Sequence, residues 1–215
     1  MGNISSFLVD VSVRVPGASK TDIDSVVRAV VREFCSKTLL YIRQLTAIDI
    51  VALTGTYTLV APANCAIVSV ERVEVDGQYV NPTSLDLLNR SPENWQTDEA
   101  NQPINYMVDA EKILRFKEIP DTAITGGLVV WASLKPTAST DVIPDFIVDD
   151  WYDTILNGAV SSLLRIPQKS WTSIEGSEYY NTIYDGSLSE AKGKKYTGKA
   201  KVSIRTQSAP FSVIG

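Results

Sequence analysis

The spacing of apolar residues changes period twice along this chain, and those changes divide it. Between Ile143 and Trp171, Ile147, Trp151, Ile155, Val160 and Leu163 recur every three to five residues, with Leu156, Ala159 and Leu164 widening the stripe. That is the spacing of one buried helix face. It predicts a helix over 149–166, with Asp149 or Asp150 in the first turn against the positive end of the helix. Arg165 falls in the last turn, and Pro167 stops the helix. Gly158 and Ala159 at its middle predict close approach by another element, since a glycine in an exposed helix interior costs roughly 0.5–1 kcal/mol relative to alanine. Ser19–Leu45 repeats the pattern with Ile23, Val26, Val27, Val30, Val31, Phe34, Leu39 and Tyr41. Ser19 or Thr21 is placed to cap it, and Asp22 and Asp24 fall in its first turns. Its valines are weak helix formers, so packing must hold it, with Val27, Val30, Val31 and Phe34 facing Ile155, Ala159 and Leu163. Ser177–Lys192 is a third helix candidate, with Tyr180, Ile183, Tyr184 and Leu188 on one face and Gly186 weakening it.

Between the first two helices the period drops to two. Short strands are expected at 49–53 and 55–59. A longer one runs to Val75, where imperfect alternation predicts a bulge near Glu71 and Arg72. Asp76-Gly77 marks a hairpin turn into Gln78, Tyr79 and Val80. Ser84 is placed to cap a single helical turn reaching Asn89. The polar loop Arg90–Pro103 has Trp95 as its one large apolar group, which either folds onto a sheet edge or anchors a subunit contact. Strands follow at 104–108, 112–116 and 127–134, with a turn at Asp109-Ala110-Glu111. At the other end of the chain, Phe7, Val9, Val11, Val13 and Val15 alternate with polar residues. This reads as a short strand ended by Pro16-Gly17 or as a loosely held arm, with residues 1–7 unstructured. The expected fold is α+β. It has a helical core of two to three packed helices, an inserted antiparallel sheet or small sandwich, and an extended C-terminal arm. The divisions are 1–48, 49–140, 141–192 and 193–215.

Charge and chemistry narrow the function. The 215 residues carry a net charge of −5 and a pI near 4.8, the opposite of a nucleic-acid footprint. There is no histidine, and no phosphate-binding glycine loop or nucleophile elbow. Asp145, Asp149, Asp150 and Asp153 read as the charge pattern of a helix start rather than a metal site. No catalytic, cofactor-binding or metal residue is expected. Cys35 and Cys65 sit in apolar surroundings and read as buried thiols rather than a disulfide. No leader and no membrane-length apolar run is seen, so a soluble protein made in the cytoplasm is expected. One stretch departs from the acidic average. Lys192, Lys194, Lys195, Lys199, Lys201 and Arg205 lie in a segment without acids. Ala200, Val202 and Ile204 alternate within it, which suits a strand added to another sheet, and Phe211 and Ile214 offer apolar anchors. A solvated tail and a phosphate contact are the alternatives. These eight residues and Trp95 are the candidate interface.

The stretch from Asp145 to Lys192 resembles the C-terminal helical part of phage head–tail adaptor proteins, also called connector or head completion proteins. The resemblance rests on Pro144, Trp151, Ile155, Gly158, Ala159, Leu163, Leu164 and Pro167, then Trp171, Tyr179, Tyr180, Tyr184 and the small and charged residues of 186–192. The first helix, especially FCSKTLLYIRQL, resembles that family's opening helix, so about ninety residues are covered. The β-rich middle departs from the all-helical adaptors and implies a larger, podovirus- or myovirus-type member. The resemblance implies a virion structural protein without enzymatic activity. It would form a homo-oligomeric ring, usually of twelve copies, below the portal protein, joining it to downstream tail or nozzle proteins and helping to retain packaged DNA. DNA would pass without sequence-specific binding, and no membrane is involved. Another neck or tail-tube protein is the alternative, followed by a non-viral binding module or enzyme.

Overall fold

A computed structural model describes residues 2–89 and 98–197. In chain order, a short strand β1 (Gly2–Asn3) leads through a 3-10 turn into α1 (Leu8–Arg14) and α2 (Lys20–Thr38). Then come β2 (Ile42–Gln44), β3 (Ile48–Ile50), β4 (Thr56–Thr58), β5 (Cys65–Val75), β6 (Gln78–Pro82), α3 (Leu85–Asn89), β7 (Glu99–Ala100), β8 (Asn105–Val108), β9 (Ile113–Phe116), β10 (Ile119–Pro120) and β11 (Ile124–Pro136). The last described elements are β12 (Val142–Ile143), α4 (Asp145–Asp150), α5 (Tyr152–Leu164) and α6 (Ile174–Thr197). The fold is α+β, with tightly packed α2, α5 and α6 and an inserted, curled half-barrel sheet.

The helical core draws on both ends of the sequence. Val27, Val30, Val31 and Phe34 of α2 share one buried cluster with Ile155, Ala159 and Leu163 of α5, as their spacing predicts. Ser19 caps α2, its Oγ accepting from the Asp22 amide at 3.1 Å. The helix ends at Thr38 rather than running to Leu45. Leu39 turns left-handed (φ 54°), and its amide bonds the Cys35 carbonyl. The apolar residues beyond it are used in extended chain: Tyr41 packs between both cores, and Ile42–Gln44 pair with β11. The 149–166 helix is likewise two pieces, broken at Trp151 (φ −130°, ψ 20°), whose ring is buried against Phe34 at 5.5 Å.

The N-terminal stretch is helical, not a strand or a loose arm. Ile4, Phe7, Val11 and Val15 are buried, whereas Val9 and Val13 are 68% and 73% exposed. Residues alternating by two also recur every four, so the same valines fit a helix once α2 and α5 offer a surface to pack on. Phe7 stacks on Tyr152 at 4.5 Å, and Tyr152 donates to Asp10 Oδ2 at 2.7 Å. Gly2 and Asn3 pair with Ile143 and Val142.

The sheet runs in the order β2-β11-β5-β6-β8-β9-β4, with β3 also on β11. It begins at Ile42, ahead of the expected boundary at 49. It is mixed rather than antiparallel, because β6 and β8 pair in parallel through Asn81–Asn105 and Pro82–Tyr106. The long connection between them permits that direction, which a tight hairpin does not. The sheet curls around its own core of Ile67, Val73, Val75, Val80, Tyr106, Leu114, Phe116, Leu128, Val130 and Leu134. It does not stack as a sandwich. Asp76 and Gly77 form the expected turn at φ 49° and 75°, the two positive values of a tight hairpin. Ser84 accepts from the Leu87 amide at the start of α3. Asp109 Oδ1 accepts from the Glu111 and Ile113 amides in the next hairpin.

Candidate protein interface at the end of the C-terminal helix

The basic segment singled out by charge begins on a helix. α6 starts at Ile174, before the expected Ser177, and continues past Lys192 to Thr197, so Lys194 and Lys195 belong to its last turns rather than to an extended arm. Its buried face is Ser177, Tyr184, Leu188 and Ala191, with Tyr180 packed partly against the core. Ile183, expected on that face, is turned outward with Ile174 and Tyr179. Gly186 lies in open space and does not end the helix.

α6 lies close against α5 because small residues meet there. A Cβ on Gly158 would stand 2.8 Å from Val30 Cγ1 and 2.9 Å from the Tyr184 ring. One turn on, Ser161 Oγ donates to the Ser177 carbonyl at 2.9 Å, and Ser177 Oγ donates to the Ser161 carbonyl at 3.0 Å. Each buried hydroxyl is thus satisfied across the crossing, which a dry contact requires. A groove of about 630 Å³ runs alongside, lined by Glu33, Lys37, Arg165, Asn181, Tyr184 and Asp185. The Tyr184 hydroxyl is buried without a hydrogen-bond partner among the described residues, and burial pushes its pKa above the usual range.

The last turns of α6 fasten the two cores together. Lys194 pairs with Glu190 at 2.9 Å and places its ammonium 4.7 Å from the centre of the Trp151 ring. Lys195 reaches the sheet and bonds Glu71 Oε2 at 2.9 Å, both side chains being mostly covered (17% and 21% exposed). Glu71 owes its position to the expected bulge: Trp131 faces Arg72 and Ala132 faces Val70, so Glu71 is the extra residue of β5. Its other oxygen accepts from Ser69 and Ser133 hydroxyls, each at 2.6 Å. Burial opposes the charged form of Glu71, but bonds from Ser133, Ser69 and Lys195 outweigh it and hold the carboxyl below its ordinary pKa.

Beside this knot, Ser69 also lines a second groove, of about 380 Å³, between β5 and β8. Ile67–Val70 form one wall, Tyr106–Ala110 the other, and Pro82 and Thr83 close one end.

Of the sequence-predicted interface, Lys192 is exposed, Lys194 is held on Glu190 and Trp151, and Lys195 is taken by Glu71. Lys194 stays more than half exposed beside Glu190, whereas Lys195 is mostly covered by its contact with Glu71. Lys199, Lys201, Arg205, Phe211, Ile214 and Trp95 lie outside the described residues. Asp145, Asp149 and Asp150 fall on α4 and Asp153 on α5, and no group of three metal-ligating side chains gathers among the described residues. Cys35 and Cys65 are both free, but only Cys35 is buried as expected, Cys65 being half-buried; burial pushes the Cys35 thiol up to about 12. No helix among the described residues is long and apolar enough to cross a membrane. Sequence reasoning missed the Glu71 cluster and the exposed Val9 and Val13. The broken alternation at Glu71 was the only local signal for the first, and nothing in the alternating valines distinguished the second.

No protein-family model matches this chain, and no curated protein matches it either.

Proposed function

We propose that this chain is a virion adaptor: a ring-forming structural protein that joins a phage portal to the tail and helps retain packaged DNA. The observation that carries the reading is a pair of exposed apolar patches on two helices packed against α5. α5 meets α1 through Tyr152 and α6 through Ser161. α1 presents Val9 and Val13 outward, and α6 presents Tyr179 and Ile183. Two unlike apolar patches on separate helices suit head-to-tail contact between copies, and such contacts close into a ring when the rotation allows. The resemblance to head–tail adaptors supports the same reading, since Trp151, Ile155, Gly158, Ala159, Leu163 and Tyr184 are residues of a single packed crossing.

In this role the residues beyond Thr197 are an extended arm that docks on the portal. Lys199, Lys201 and Arg205 steer it to an acidic surface, and Phe211 and Ile214 anchor it. The net negative body keeps passing DNA from sticking. The partners are then portal protein, downstream tail or nozzle proteins, and further copies of this chain in a dodecameric ring, with no membrane and no chemistry of its own. The test is sedimentation of the protein with DNA-filled, portal-bearing heads. Co-sedimentation at a fixed ratio near twelve per head is expected, and loss of that binding on Val13→Asp would tie it to the α1 face. Heads that leave the protein in the supernatant overturn the reading.

A further inference from the structure

The described residues form two hydrophobic clusters, and the backbone passes between them at two places. α1, α2, α4, α5 and α6 pack around one cluster, and the half-barrel curls around the other. The first passage is residues 39–41, at the left-handed turn that ends α2. The second is residues 136–142, from the end of β11 to the start of β12. Tyr41 sits at the first, packed on both clusters, with its ring 6.0 Å from Phe146 and its hydroxyl 3.7 Å from Cys65 Sγ. The Leu134 amide donates to the Tyr41 carbonyl at 2.8 Å, which extends the β2 side of β11. At the second passage, Pro136 is paired with Cys65, the first residue of β5.

A body joined to another at two points turns about the line between them, and a third point off that line fixes the angle. Lys195 supplies the third point. It comes from α6, whose Leu188 and Ala191 are buried in the helical core, and it bonds Glu71 Oε2 on the sheet at 2.9 Å. β5 and β2 flank β11, so Glu71 and Tyr41 stand on opposite sides of that strand. Glu71 also lies roughly 20 Å along β5 from Cys65 and the second passage. The carboxylate is fixed on the sheet, because the Ser69 and Ser133 hydroxyls each donate to its other oxygen at 2.6 Å. Lys195 reaches it on a flexible four-carbon stem. Both side chains are mostly covered, so salt screens this pair less than an exposed one.

We propose that the Lys195–Glu71 pair is a clasp that sets the angle of the half-barrel on the helical core, and that the half-barrel swings about the line through residues 39–41 and 136–142 when the clasp opens. Opening breaks one ion pair and leaves both hydrophobic clusters closed, so it lies well below global unfolding in free energy. Hinges are a few residues at the ends of elements that absorb the backbone rotation, and both passages are of that kind. The clasp stands on this geometry alone. Its use rests on the adaptor reading: a partner that takes Lys195 from Glu71 on docking frees the half-barrel to turn toward the next protein of the neck.

The test is the spread of distances between two nitroxide labels in the full chain. The labels are carried on ketone-bearing residues introduced at exposed Lys20 of α2 and exposed Gln78 of β6, so both native thiols stay unmodified. The clasp predicts one narrow distance distribution in the native protein and a distribution at least about twice as wide in Lys195→Ala and in Glu71→Gln. Lys192→Ala, at an exposed position of the same helix, keeps the native width. Amide exchange in α5 and β11 stays at the native rate in Lys195→Ala, which separates a swing from the loss of a core. A native width in Lys195→Ala overturns the proposal, and so does a native protein already as wide as that variant. Faster exchange in either core overturns it too, because the pair would then hold a core together rather than an angle. If Glu71→Gln does not fold, Lys195→Ala decides, since it leaves the Ser69 and Ser133 bonds in place. No portal-bearing head is present, so failure here leaves the adaptor reading standing.

Discussion

Replacing Gly158 by alanine tests the helical crossing most directly. The new methyl would stand 2.8 Å from Val30 Cγ1 and 2.9 Å from Tyr184 Cδ2 and Cε2, inside any ordinary contact. Both neighbours are buried, at 3% and 4% exposure, so neither is a loose side-chain end able to swing away. Overpacking of this kind costs typically 1–3 kcal/mol. The gain in helix propensity returns up to about 1 kcal/mol. With the full return the expected net loss is up to about 2 kcal/mol, or up to roughly 8 °C in Tm for a chain of this size. Gly186→Ala is the internal control. No atom lies within 4 Å of its added methyl, so it should stabilise by about 0.5–1 kcal/mol. Urea and thermal unfolding of both variants give the comparison. A third chain, Val30→Ala with Gly158→Ala, removes the clashing methyl, and Val30→Ala should cost less there than in the native background. If Gly158→Ala stabilises as much as Gly186→Ala, α2, α5 and α6 do not meet as described.

Leu163→Ala, at a fully buried site, should cost about 2–5 kcal/mol by urea denaturation. Glu71→Gln should lower stability at pH 7. The folded pKa of Glu71 is depressed, so its contribution is present above the ordinary glutamate value of about 4.3 and is lost as pH falls through the lower folded value; the gap between the two chains should persist at the ordinary value and close only at more acid pH. Native protein treated with iodoacetamide near pH 8 should leave Cys35 unmodified, because burial keeps the thiol protonated, and should label it only on unfolding, as read by peptide mass.

Much of the helical core was legible because its signals are local. The i, i+4 spacing of Ile155, Ala159 and Leu163, the Ser19 cap and the small Gly158 each act within one or two turns. The Asp76-Gly77 turn and the Glu71 bulge were legible for the same reason. Errors arose where distant partners decide. Tyr41 and Ile42 continue a helical period but are claimed by β11, and Trp151 breaks a continuous stripe to fill the space beside Phe34. The parallel β6–β8 pair follows from a crossover that no local pattern encodes. Of the candidate interface, charge counting found the lysines but not which are spoken for. Glu71 lies 124 positions from Lys195, and nothing near either residue announces the pair.

The insertion has a consequence for the order of folding. α2 ends at Thr38 and α4 begins at Asp145, so the helical core closes a loop of more than a hundred residues. For a disordered chain that closure costs about 4 kcal/mol of entropy before any helix contact repays it. The sheet removes most of the cost. β2 lies on the last residues of β11, with Ile42 opposite Ser133, so the completed half-barrel holds its own entrance and exit side by side. The sheet thus acts as a clamp that presents α2 to α5. Its strands should become protected in pulse-labelled refolding before the amides of α5 do, and a chain emerging in sequence order must hold α2 without its main partner until the whole insertion has been made.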